Sequence, residues 1–177
     1  MPEESRPYKG RKICSVTDFK VKPLKKLTLH KNGISYNDVS TCEADAKSGF
    51  FNDLFGEDFS GKCQFRANFT YEGEKENLII SLGKICYSCE ISLNGTKIKE
   101  LFTPPYEAVI DKSLLRDENE LIITVSNTAA NAFVHFNLPE EWEQKHIGPY
   151  HEKALELEKK LLSGGILGEV AIFEAGR

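Results

Sequence analysis

Apolar and polar residues alternate along much of this chain with a period of two, which is typical of a β-strand buried on one face. The clearest run is residues 63–71, where one face carries Cys63, Phe65, Ala67, Phe69 and Tyr71 and the other carries Gln64, Arg66, Asn68 and Thr70. Three further runs repeat the pattern, and their inward side chains are Leu78, Ile80 and Leu82, then Ile85, Tyr87, Cys89, Ile91 and Leu93, then Leu121, Ile123 and Val125. The pattern predicts a strand in each run.

Turn signals separate these strands. Asn94-Gly95 ends the third run and is a strong hairpin signal, because both residues tolerate positive φ. Strands at this spacing without helices between them indicate an all-β fold, an antiparallel β-sandwich or jelly roll. One short helix is predicted near the C-terminus: Pro149 suits its first turn, Ser163-Gly164-Gly165 ends it, and its apolar stripe is Tyr150, Ala154, Leu157 and Leu161.

The length of the chain, 177 residues, is close to that of one domain. Apolar residues make up 40% of it and include eleven Phe, which is enough to build one packed core. We therefore expect a single β-sandwich domain over residues 11–177, preceded by a loose leader over residues 1–10.

The net charge of −4 argues against general binding to nucleic acid or to an anionic membrane surface, because both need clustered positive potential. The densest basic run, from Lys20 to Lys31, is interrupted by leucines and is interpreted as the solvated face of a strand. The sequence contains neither a stretch of roughly 20 apolar residues nor a signal-peptide core, so we expect a soluble protein. Five cysteines without paired spacing favour free thiols and a cytoplasmic location.

From Asp58 onward, short motifs follow one another in a specific order. They are Asp58-Phe59-Ser60-Gly61, Leu82-Gly83-Lys84, Ile91-Ser92-Leu93-Asn94-Gly95, Thr103-Pro104-Pro105-Tyr106, Asn119-Glu120-Leu121, Val125-Ser126-Asn127-Thr128 with Asn131, and Ser163-Gly164-Gly165-Ile166-Leu167-Gly168-Glu169-Val170. This series resembles the galactose-binding-like jelly-roll (sugar-binding) domain of glycoside hydrolase family 2 and, more closely, the C-terminal domain of rhamnosidase-type hydrolases. The resemblance covers roughly residues 50–173, with Glu169 standing where that family usually has proline.

A shared fold does not confer function. In the enzymes that this chain resembles, the catalytic acids lie in a separate barrel of about 250 residues, which is too large for this chain. The resemblance therefore implies a non-catalytic accessory module. Its partners would be a carbohydrate, or a partner domain or subunit of a glycoside hydrolase.

Motifs for other chemistry are incomplete. Residues 56–62 have the spacing of a phosphate-binding loop, but Cys63 follows where Ser or Thr is needed, and a strand follows where a helix is needed. In Cys86-x-x-Cys89, residues three apart on a strand face opposite sides, so we expect Cys89 in the core and Cys86 on the far face. The histidines are dispersed and no nucleophile elbow occurs, so no catalytic residue is predicted.

Oxygen-bearing side chains are concentrated in one predicted loop, at Asn52, Asp53, Glu57 and Asp58. Calcium prefers such ligands, and related sandwiches sometimes hold a structural ion in this loop. The alternative is a solvated acidic turn, which is favoured because the spacing of a dedicated calcium loop is missing. Apart from this calcium ion, no cofactor is predicted.

A carbohydrate site needs an aromatic ring for the apolar face of a sugar, and amides or carboxylates for its hydroxyls. Trp142 is the only tryptophan and lies in the insertion after Asn131, close in sequence to Glu141 and Tyr150, which makes these residues the best candidates. The alternative is that Trp142 fills the core beneath the predicted helix.

Tyr106, Asn127 and Asn131 are further ligand-binding candidates, because they match the motifs of the resembled family. The alternative is structural: Tyr106 would fix the entry to a strand, and the two amides would cap a loop by bonding to the backbone.

Three functions stay open at this point. The leading hypothesis is an accessory module that binds carbohydrate weakly. The second is a structural or protein-interaction sandwich without a sugar ligand, and the third is a small hydrolase with a site in the 131–165 insertion.

Overall fold

Antiparallel strands build almost all of the regular structure, as the alternating pattern predicts. The computed structural model describes residues 9–46, 48–72, 77–135 and 162–176. The strands and helices are β1 (Lys9–Val16), β2 (Lys20–His30), β3 (Gly33–Asp38), β4 (Ala44–Asp45), α1 (Phe51–Phe55), β5 (Gly61–Thr70), β6 (Leu78–Ser81), β7 (Ile85–Cys86), β8 (Ser88–Leu93), β9 (Thr96–Leu101), β10 (Glu107–Ile110), a 3-10 turn (Lys112–Leu114), β11 (Glu118–Ser126), α2 (Ala130–His135), β12 (Gly165–Ile166) and β13 (Val170–Ala175). The predicted helix over 149–161 lies outside the described residues.

Two sheets face each other across the core, which confirms the all-β sandwich. The larger sheet has the order β3-β2-β5-β11-β8-β9, with β4 added beside β2, and the smaller has the order β1-β13-β6-β10. A separate two-stranded pair, β7 with β12, closes one end. The described part of the chain has no helix long and apolar enough to cross a bilayer.

The inward faces meet as predicted along the central strands. Phe65 on β5 lies opposite Ile123 on β11, which in turn lies opposite Ile91 on β8, and all three are at most 1% exposed. Asn94 and Gly95 both have positive φ, as the two-residue β8–β9 hairpin requires. Complete burial of one such Phe or Ile side chain stabilises the fold by about 1.5–3 kcal/mol.

The run 85–93 forms two strands instead of one, which corrects two predicted positions. Tyr87 lies between β7 and β8, where its N–H bonds to the Ser126 carbonyl, and its side chain is 39% exposed instead of facing the core. Cys86 is buried as well as Cys89, instead of lying on the far face. The break between β7 and β8 changes which side chains face inward. The alternation of apolar and polar residues in the sequence does not reveal this break.

Most of the basic run 20–31 forms β2, and three of its five lysines have acidic partners. Lys20 pairs with Asp45, Lys25 with Asp38 and Lys26 with Asp58. A bulge at Leu24 interrupts the pairing of β2 with β5. The interpretation of this run as a strand with a solvated charged face is confirmed.

Candidate functional site

Several candidate residues lie at the same end of the sandwich, which we call the insertion end. It is the end where β5 and β8 begin and where β9 and β11 end, and the chain leaves it through α2 and returns to it at Leu162. Tyr106, Asn127 and Asn131 lie at this end. Trp142, Glu141 and Tyr150 lie outside the described residues, so their predicted contact with a sugar stays a prediction.

Asn127 joins the end of β11 to the start of β5. Its Oδ1 accepts from the Gly61 N–H at 2.7 Å, and its Nδ2 donates to the Phe59 carbonyl at 2.9 Å. Its own N–H bonds to the Gly61 carbonyl. The amide therefore satisfies backbone groups where the chain enters β5, as an Asn side chain often does in loops.

Asn131 lies in α2 and holds the returning chain. It is 1% exposed, its Nδ2 donates to the Leu162 carbonyl at 2.9 Å, and its Oδ1 accepts from the Leu162 N–H at 2.8 Å. Buried Ser60 accepts from the Ala132 N–H at 3.0 Å and so fixes α2 to the same end. Both polar atoms of the Asn131 amide are thus occupied by one backbone residue.

Tyr106 follows the Thr103-Pro104-Pro105 segment and precedes β10. Its hydroxyl donates to the Tyr87 carbonyl at 2.7 Å, and its side chain is 7% exposed. Burial raises the pKa of its phenol. The contact ties the entry of β10 to the junction between β7 and β8.

Three exposed aromatic side chains that are not among the predicted ligand-binding residues lie at the insertion end. Phe50 is 42% exposed, Tyr87 39% and Phe102 69%. Phe50 bridges to Gly165, which pairs with Cys86 directly before Tyr87, and Phe102 follows the last residue of β9. The sequence does contain one sign that Phe102 is exposed, because this residue stands just outside a strand and shortly before two prolines.

The outer face of the larger sheet has a different character. Its central side chains are mostly polar or charged, with Ile122 as an apolar exception, and Arg66 pairs there with Glu43 and Glu120. Lys97 likewise lies between Glu90 and Glu100. The outward residues of β5, β8 and β11 include no aromatic ring, so the central part of this face lacks the stacking surface that a sugar needs.

Part of the loop predicted to hold calcium is helical: Asn52 and Asp53 lie in α1, and Glu57 and Asp58 follow it. Asp53 accepts from the Ser48 hydroxyl at 2.8 Å, and Asp58 pairs with Lys26 at 2.6 Å. The Oδ1 atom of Asn52 is buried without a hydrogen-bond partner, and Glu57 is exposed. Among the described residues, no three His, Cys, Asp or Glu side chains are grouped so that they could hold a metal. A calcium ion in this loop stays a prediction.

The titratable groups show ordinary surface pairing. Lys12 and Ser15 hydrogen-bond to Glu169 and lower its pKa, and Lys97 does the same to Glu100. Burial raises the pKa of the Cys89 thiol to about 12 and raises that of Cys63 further, so both thiols are unreactive packing groups. Hydrogen bonds from neighbouring residues lower the pKa of Glu100, Asp111 and Glu169, which is the opposite of the raised pKa that a buried general acid shows.

Solved structures share this fold over nearly the whole chain. A rhamnosidase from Novosphingobium sp. PP1Y aligns over 93% of this chain with a TM-score of 0.58 and 19% identity. A GH2 beta-galacturonidase from Eisenbergiella tayi aligns over 93% with a TM-score of 0.51 and 14% identity. An FMN-binding beta-glucuronidase from Facaelibacterium prausnitzii L2-6 aligns over 92% with a TM-score of 0.50 and 14% identity.

The match covers only part of each of those proteins. This chain spans 15% of the rhamnosidase chain, 26% of the beta-galacturonidase chain and 22% of the beta-glucuronidase chain. No protein-family model matches this chain, and no curated protein matches it in sequence. The resemblance seen in the sequence is therefore confirmed for the fold: the chain has the fold of a β-sandwich domain that occurs within glycoside hydrolases.

Proposed function

We propose that this chain is a non-catalytic accessory module related to those of glycoside hydrolases, and that it binds carbohydrate at the insertion end. The observation that carries the proposal is the group of exposed rings there, Phe50, Tyr87 and Phe102. Aromatic rings are the groups that pack on the apolar face of a sugar. The outer face of the larger sheet offers none on its central strands.

Two observations support a non-catalytic role. The fold is shared with 15–26% of much longer hydrolase chains. The described carboxylates with shifted pKa values are surface groups whose pKa is lowered, whereas a general acid needs a raised one. The hydrolase alternative, with a site in the 131–165 insertion, is tested by incubating the chain with the same sugars used for binding and assaying for products.

A second function, a structural or interaction domain without a sugar ligand, is favoured by one specific observation. The polar groups of Tyr106, Asn127 and Asn131 all bond to backbone, which leaves few free hydrogen bonds for sugar hydroxyls. In that case Phe50, Tyr87 and Phe102 would pack against a partner domain or subunit of a glycoside hydrolase.

Calorimetric titration with a panel of plant and bacterial oligosaccharides distinguishes the two functions. We expect saturable binding that Phe102→Ala and Trp142→Ala weaken. Val109→Ala is the control, because Val109 is 41% exposed but lies on β10 of the smaller sheet. Absence of heat across the panel would contradict carbohydrate binding. Repeating the titration with calcium and with chelator tests the predicted ion.

A further inference from the structure

The strand β3 forms an edge of the larger sheet that is open to solvent. Among the described strands it pairs only with β2, and five of its six residues are exposed. Ile34 is 61% exposed and Tyr36 48%. An edge of this kind presents unpaired N–H and C=O groups to any strand that approaches it.

The other edge strands carry features that discourage pairing. β9 has Lys97, Lys99 and Glu100 and a bulge where it meets β8. β1 has two register shifts against β13, and β10 is four residues long. Charge, bulges and short length are the usual means of protecting an edge. β3 has six residues, no register shift against β2, and a single charged residue, Asp38, at its end.

An apolar patch accompanies the open edge. Leu27 lies opposite Tyr36, and Leu29 lies opposite Ile34, so these four side chains share one face of the β2–β3 hairpin. Lys25, on the same face of β2, places its Nζ 5.4 Å from the centre of the Tyr36 ring. The patch reaches the rim of the sheet, so a strand added to β3 would extend it.

We propose that β3 pairs with β3 of a second copy of this chain, antiparallel and about a twofold axis at Ser35. This register places Ile34 opposite Tyr36 of the second copy on the face that carries the patch. It also places Asp38, an exposed side chain that pairs with Lys25 in its own chain, opposite Asn32 of the second copy and next to its Lys31, so opposite charges meet at both ends of the new pair. In this arrangement the apolar patch of one copy meets the apolar patch of the other, and the charged residues of one copy meet residues of opposite charge on the other.

Two paired edges bury less than the roughly 1,000 Å² typical of a stable interface, so the dimer is weak. We expect a dissociation constant on the order of 100 µM. Sedimentation velocity of the full chain over about 5–500 µM, a range set by this affinity, tests it. The average mass should rise from 19.9 kDa toward twice that value. A chain that stays monomeric at the highest concentration overturns the proposal and leaves the edge to a different partner.

Matched variants locate the contact. Ile34→Lys should weaken association by about tenfold or more, because a lysine on an edge strand opposes pairing. Val109→Lys is the control, because Val109 is 41% exposed on the edge strand β10 of the other sheet. The proposal is overturned if Ile34→Lys associates as strongly as the wild type. It is also overturned if only Val109→Lys loses association.

The register is tested by exchanging the charges. Lys31→Asp, which leaves the Lys25–Asp38 pair of the same chain in place, should weaken the dimer, and Asp38→Lys added to it should restore association. Failure of the double variant to recover overturns this register. Hydrogen exchange of the wild type serves as a check that needs no variant: amides of β3 should become protected as concentration rises, and unchanged exchange would overturn the pairing.

Discussion

Replacing Asn131 tests whether the insertion end is held by its buried amide. Asn131→Ala removes both hydrogen bonds to Leu162 and leaves the N–H and the carbonyl of that residue without these partners. A net hydrogen bond contributes about 1 kcal/mol, and a buried group left unpaired costs about 1–3 kcal/mol. Because Asn131 is 1% exposed, we expect the free energy of unfolding to fall by about 2–4 kcal/mol.

Urea unfolding measures this loss. With a slope of about 2 kcal/mol/M, the midpoint should fall by about 1–2 M urea while the slope stays unchanged. Asn68→Ala is the matched control: Asn68 is exposed on the outer face of β5, and its replacement should change stability by less than about 0.5 kcal/mol. A loss below about 0.5 kcal/mol in Asn131→Ala would refute the structural role and make the amide a ligand-binding candidate again.

Two further predictions concern charge and thiols. Lys12 and Ser15 lower the pKa of Glu169, so its carboxylate stabilises the fold above the ordinary value of 4.5, and this contribution is lost as the pH falls through the lowered pKa. Glu169→Gln should therefore lower the melting temperature at neutral pH, with a difference that shrinks in acid; a constant difference would contradict it. Of the five thiols, exposed Cys42 should react first with a thiol reagent in the native protein, since Cys63, Cys86 and Cys89 are buried. A fast phase that survives Cys42→Ser would disprove this.

Alternation predicted the central strands because a half-buried strand leaves a direct mark on the sequence. The inward faces of β5 and β11 and the Asn94-Gly95 turn follow from it. The position of Tyr87 did not follow, because the strand break depends on the pairing of β7 with β12, about 80 residues further along the chain. Long-range pairing of this kind leaves no local signal.

Three of the predicted site residues lie at one end of the sandwich, whereas Trp142, Glu141 and Tyr150 lie outside the described residues, so the site itself stays a prediction. The order of the motifs predicts Tyr106, Asn127 and Asn131 as ligand-binding candidates, and the structure places all three at the insertion end. The hydrogen bonds of these side chains depend on which backbone segments lie near them in the fold. The sequence alone therefore does not decide between ligand binding and bonding to the backbone. The exposure of Phe102 depends in the same way on what neighbours it in space.

Carbohydrate binding at the insertion end is the central claim, and a chemical-shift titration with the tightest-binding oligosaccharide tests it most directly. We predict saturable shifts of the amides near Phe50, Tyr87 and Phe102, while those of β3 stay unchanged at a fixed protein concentration. Shifts that are absent, or that are confined to other surfaces, would contradict the claim.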